Sequence, residues 1–216
     1  VVMTNFAELK AFWENNTVFT NSKYAVIAND ITCEDTVIQA IWNEKNVGVI
    51  DGLGNTVTNM TMTRGIFMNV ANVTLRDITF ANFTSTNNVV KSGTTLFQTG
   101  LIAYFAKNLD VINVNMTTTL SADNWKNCKN LLGSCDAGGG YGYSFVGCSF
   151  DIGCREDMKA TAMSVTGEMW YYMGSFTNTT ITYAGTLDLA KDFAQAGAKI
   201  TYSNATFTDM NGTQTK

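Results

Sequence analysis

A six-residue pattern recurs six times along this chain and constrains its fold more than any other feature. Each copy reads apolar, any, Asn/Asp/Gly, any, small polar, apolar. The copies are V-T-N-M-T-M at 57–62, L-R-D-I-T-F at 75–80, V-I-N-V-N-M at 111–116, F-V-G-C-S-F at 145–150, F-T-N-T-T-I at 176–181 and Y-S-N-A-T-F at 202–207. The third position holds Asn59, Asp77, Asn113, Gly147, Asn178 and Asn204. These residue types best tolerate a left-handed backbone, and Asn or Asp also bonds neighbouring backbone groups. Between two short strands such a residue makes a sharp corner. Beyond the corner, positions four and six share one strand face, because strand side chains alternate. Both are mainly apolar, so each copy reads as strand, corner, strand with one face buried.

The copies begin 18, 36, 34, 31 and 26 residues apart. The first spacing fits one compact turn of a winding chain, and the longer ones fit a turn plus a surface excursion. Gly-led strands are expected at 65–68 and 100–104, with comparable strands at 24–27, 141–145 and 169–173. Stacked at about 4.8 Å per coil, they form a repeat architecture. The expected organisation is a single domain with a cap over 1–20, coils over 21–207 and a tail over 208–216. In the cap, Asn5 and Glu8 give a capping-box-like signal, and Phe6, Leu9, Phe12 and Trp13 recur at helical spacing. This predicts a helix over 5–15 that shields the open edge of the first coil. The nine residues after Phe207 offer no such cover, so the last coil is expected to be bare and available for self-association. Val1-Val2-Met3 carries no leader pattern, which fits a cleaved or excised piece of a longer protein.

Charged residues make up 15% of the chain, against roughly 25% in typical globular domains. The net charge of −4 argues against nucleic acid, whose phosphates need clustered Lys and Arg. The chain has no His, which removes the commonest general base and every Ser–His or Cys–His pair. No apolar run approaches the ~18 residues of a membrane span. Asp51, Asp77, Asp110 and Asp151 each stand singly, with no expected convergence on Arg or Lys. Arg155-Glu156-Asp157 reads as a solvated loop, and the Gly-rich stretch 137–142 as a turn entering a strand. No catalytic residue, metal site or cofactor is expected.

Eight Asn-x-Ser/Thr sequons occur, at Asn15, Asn59, Asn72, Asn82, Asn115, Asn178, Asn204 and Asn211. They have two readings: glycosylation of an extracellular protein, or Asn corners followed by Thr in strands. Stacked corners then bond to one another as a ladder. Of five cysteines, Cys128, Cys135 and Cys154 lie in polar stretches and are expected to supply one disulfide, whereas Cys148 falls at an inward position. Low charge, many Thr and no intracellular motif favour an extracellular or cell-surface location. Tyr141, Tyr143, Trp170, Tyr171 and Tyr172 are either core residues or an outward aromatic patch for a glycan or surface protein.

The run I-D-G-L-G-N-T-V-T-N-M-T-M at 50–62, R-G-I-F at 64–67 and N-V-T-L-R-D-I-T-F-A-N at 72–82 resembles right-handed parallel β-helix proteins of the pectin-lyase-like superfamily. It looks most like the GLUG-type repeats of bacterial and archaeal surface proteins, although Ala103 replaces the final Gly expected after Gly100-Leu101-Ile102. The resemblance spans 24–207 and implies an all-β solenoid with a short N-terminal capping helix and long inserted loops in the C-terminal half. It implies much less about function, because the superfamily includes lyases, hydrolases, adhesins and phage spikes. The expected role is a non-enzymatic module of a surface adhesin or cell-wall-associated protein that binds through its lateral face. A self-assembling filament or spike subunit and a polysaccharide lyase or hydrolase are the alternatives.

Overall fold

The computed structural model describes residues 1–15, 23–39, 48–86, 89–92, 95–98, 100–123, 125, 130–135, 142–166, 173–189 and 199–216. The protein is mostly β, and almost all of its strands pair in parallel within one large sheet. Parallel neighbours cannot be joined by tight hairpins, so each ladder is built from segments distant in sequence.

Two ladders carry most of the chain. In the first, one column of opposed residues runs Val26, Asp51, Arg76, Ile112, Val146, Thr177 and Ser203. Beside it runs the buried column Ala25, Ile50, Leu75, Val111, Phe145 and Phe176, which ends on half-buried Tyr202. In the second ladder the buried column is Ile31, Val57, Phe80, Met116, Phe150, Ile181 and Phe207. Both buried columns feed one contiguous apolar core. Within it the Phe145 and Phe176 rings stack with centroids 5.0 Å apart.

Corners switch the buried parity. Along the strand Phe67–Ser85, Val73 and Leu75 face inward, then Ile78 and Phe80, then Phe83 and Ser85. The switches fall at Asp77 and Asn82, and with Asn72 all three have positive φ. Without a left-handed residue every fifth position, strict alternation would turn half of these apolar side chains to water. Asp77, Asn113, Gly147, Asn178 and Asn204 all have φ between 47° and 65° and follow the first ladder in register. Asn113 Nδ2 donates to Asp77 Oδ1 at 2.9 Å, and Asn204 Nδ2 donates to Asn178 Oδ1 at 3.0 Å.

Asn59 does not belong to that column. It lies beneath Asn82, whose Nδ2 donates to Asn59 Oδ1 at 3.4 Å. Val57 pairs with Phe80 rather than Leu75, so the copy at 57–62 is slipped by one corner. Its place in the first ladder is taken by Ile50 and Asp51, followed by Gly52. The reason is that each repeat has more than one corner, and all corners share the same apolar–Asn–apolar grammar. A further stack, Asn108 on Asn72 at 3.0 Å, is of the same kind.

The N-terminal helix spans Phe6–Glu14, and Asn5 caps it by accepting from the Glu8 N–H at 3.1 Å. Phe6, Leu9, Phe12 and Trp13 are buried, and the Trp13 indole donates to the Ile66 carbonyl at 3.0 Å. At the other end, residues 208–216 are not a bare tail. Gly212–Thr215 folds back antiparallel along Thr206–Asp209 and occupies its open edge. Asp209 anchors this hairpin by accepting from the Leu187 and Asn211 backbone N–H groups, both at 2.8 Å. Met210 and Asn211 form its two-residue loop, since Asp209 pairs with Gly212.

Gly147 interrupts the amide ladder because Asn113 leans over it. A Cβ there would stand 2.5 Å from Asn113 Oδ1, on a backbone with φ of 65°. Gly147→Ala is expected to cost about 1–2 kcal/mol in chemical denaturation, and adding Asn113→Gly to recover part of the loss. A Gly147→Ala protein as stable as its parent would contradict this packing.

Candidate functional site

The outward side of the second ladder carries two polar columns. Alternation past the buried Val57, Phe80, Met116, Phe150, Ile181 and Phe207 places Thr56, Thr79, Asn115, Ser149, Thr180 and Thr206 outside in register. Next to them, Thr117 opposes Asp151, Asp151 opposes Thr182 and Thr182 opposes Thr208. All of these side chains are exposed or half-buried.

One residue breaks this regularity and makes a groove. Met116 opposes Phe80, yet Thr118 opposes Phe83, so the earlier strand holds one extra residue. Asn82 is at this point, with φ of 56°. An added residue of this kind bends its strand and leaves ladder groups unpaired. Two threonines satisfy them. The Asn82 N–H donates to Thr117 Oγ1 at 2.9 Å, and buried Thr118 donates from Oγ1 to the Phe83 carbonyl at 2.6 Å. The resulting groove is about 390 Å³, within the usual size of ligand pockets. Thr117 and Thr119 lie along it, flanked by Asn82 and Thr84 on one strand and by Asp151 and Gly153 on the other. A Cβ at Gly153 would approach Thr119 Oγ1 to 2.9 Å, so glycine keeps this part open.

Ser121 ends the groove, and Arg155 stands behind it. The Arg155 guanidinium donates to the Ser121 carbonyl at 3.1 Å, to Asp123 at 2.5 Å and to Asp157 at 2.7 Å. Hydrogen bonds to Asp157 and then Asp123 hold Arg155 firmly in its charged form. Asp123 and Asp157 are thus gathered by Arg155, while Glu156 pairs with Lys159 at 2.7 Å.

A second polar cluster lies on the first ladder. Asp51 is buried, and its Oδ2 accepts from Arg76 Nε and Nη2 at 3.0 and 2.7 Å and from the Tyr24 hydroxyl at 2.7 Å. The Leu53 N–H donates to its Oδ1 at 2.9 Å. The expectation that Asp51 stands alone is therefore corrected, because the 25-residue register brings it against Arg76. Burial pushes the Asp51 carboxyl up, but the Tyr24, Leu53 and Arg76 hydrogen bonds outweigh it and hold the pKa below the usual range.

Of the five candidate aromatic residues, Tyr143 is the one within the described residues, and it is a core residue rather than part of an outward patch. Tyr143 is 6% exposed and packs edge-on against Phe145, with ring centroids 5.3 Å apart. An inward position on the strand Tyr143–Val146 decides this. Tyr141, Trp170, Tyr171 and Tyr172 lie outside the described residues. Cys154 is a half-buried free thiol and does not join a disulfide. Cys128, and the side chain of Cys135, lie outside the described residues. Cys33 and Cys148 are buried, and desolvation pushes both thiols up to about 11.

All eight sequon asparagines are exposed. Asn59, Asn72, Asn82, Asn178 and Asn204 are positive-φ corners, Asn15 ends the helix, Asn115 faces out from a strand and Asn211 lies in the final hairpin. No three His, Cys, Asp or Glu side chains come together as a metal site among the described residues. Among the same residues no helix is long and apolar enough to cross a membrane.

The chain matches no protein-family model and no curated protein. Among solved structures it is similar to a chain described as L. reuteri 53608 SRRP, at 13% identity and a TM-score of 0.26 over 96% of this chain and 98% of that one. So distant a likeness bears on neither fold nor function.

The Asp51 cluster generates a pH dependence. A carboxylate whose pKa is lowered by folding contributes stability that is complete above its unfolded value, about 4, and lost as pH falls through the folded value. Asp51→Asn is expected to cost about 1–3 kcal/mol at neutral pH and to flatten the acid limb of stability, read from urea midpoints between about pH 7 and pH 3. Parallel acid limbs for the two proteins would rule out this role.

Proposed function

We propose that this protein is a non-enzymatic extracellular module, part of a surface adhesin or cell-wall-associated protein, that binds a glycan through its lateral face. In this reading the parallel ladders are the coils of a right-handed parallel β-helix of the pectin-lyase-like type, and the groove between Asn82 and Gly153 is the binding site. The observation that carries it is the groove lining. Thr84, Thr117, Thr119, Ser121, Asn82 and Asp151 all line one groove. Such residue types offer both donors and acceptors, as sugar hydroxyls require. Rigid strands hold these groups, which limits the ordering cost of binding. The low charge and the eight exposed sequon asparagines support an extracellular setting.

The reading of a self-assembling subunit has less to support it, since Gly212–Thr215 covers the Thr206–Asp209 part of the last edge. A binding module predicts that a panel of immobilised glycans captures the protein. Thr119→Ala is expected to weaken that capture by about two- to tenfold, the worth of one net hydrogen bond. Absence of capture by every glycan, or steady release of unsaturated oligosaccharides from pectins or alginate with calcium, would refute the proposal.

A further inference from the structure

We infer that the groove selects glycans without carboxylates and rejects uronates, with Asp151 as the residue that sets the choice. This inference rests on the glycan reading above and names its substrate class. Among the described residues the groove lining has one charged side chain, the exposed carboxylate of Asp151, and no Lys or Arg. The nearby cation, Arg155, is already engaged by Asp123 and Asp157 and by the Ser121 carbonyl. An acidic sugar entering here meets a like charge that no cation in the described lining compensates, on a protein whose net charge is already −4.

The chemistry of Asp151 favours the opposite ligand. An ionised carboxylate only accepts hydrogen bonds, and its two oxygens match two neighbouring sugar hydroxyls. The threonine hydroxyls of the groove both donate and accept, so they serve hydroxyl and ring oxygens alike. Asp151 is held by its place on the strand Ser149–Cys154, between Thr117 and Thr182 in adjacent strands. Gly153, two residues on, leaves the approach to Thr119 open.

The test compares a neutral β-glucan oligosaccharide with an oligogalacturonate of equal length by calorimetry at low salt. The expected result is at least about fivefold tighter binding of the neutral ligand, and a narrower ratio as salt screens the repulsion. Asp151→Asn keeps the shape and removes the charge. It is expected to strengthen galacturonate binding by about fivefold and to weaken the neutral ligand. Gly153→Trp is expected to abolish binding of both while circular dichroism stays unchanged. Tighter galacturonate binding by the parent protein, or a preference that Asp151→Asn leaves intact, would overturn the selectivity and leave the glycan reading standing. Binding of neither ligand by the parent, together with an empty glycan panel, would remove the glycan reading itself.

Discussion

Left-handed corners placed in register are the constraint on which the rest of this structure depends. A non-glycine residue in that conformation costs roughly 1–2 kcal/mol, so it persists only where something returns the energy. Here each corner lets the next strand segment bury its apolar side chains instead of exposing them. Ile78 and Phe80 after Asp77, and Val114 and Met116 after Asn113, are buried for this reason. The corner side chains add a second return. Asn113 on Asp77, Asn108 on Asn72 and Asn204 on Asn178 are amide hydrogen bonds between neighbouring strands. They act along the same direction as the backbone ladder and oppose slippage of one strand against the next.

Much of this was legible from sequence, because corner and burial pattern leave marks at fixed spacing. The five copies from 75 onward occupy the columns that their spacing implies, and the helix from Phe6 follows its apolar stripe. The failures have a common origin in long-range register. Val57-Thr58-Asn59 has the same grammar as Leu75-Arg76-Asp77, and only pairing distinguishes one corner from the next. Asp51 and Arg76 look like isolated charges until the register opposes them. Tyr143 could face either way in the sequence, and its place beside Leu109 fixes it inward. The final hairpin has no apolar stripe to mark it in the sequence, because edge protection needs only backbone groups.

The groove was hidden for the same reason. Asn82 reads as one more sequon and one more corner, yet its distinguishing property is the absence of an equivalent residue in the next strand. That mismatch redirects the ladder hydrogen bonds to Thr117 and Thr118 and opens space beside Asp151. An irregularity in an otherwise periodic surface is thus where concavity and convergent polar groups coincide. The proposed glycan site follows from a local departure from the repeat, and the repeat supplies the rigidity around it.

Isotope-edited NMR measures directly the parallel register set by these corners. Amide–amide contacts are predicted to link Arg76 to Ile112, Ile112 to Val146, Val146 to Thr177 and Thr177 to Ser203, with couplings indicating positive φ at Asp77, Asn113, Asn178 and Asn204. Close Hα–Hα contacts across these segments, the mark of antiparallel pairing, or negative φ at the four corners, would contradict the account.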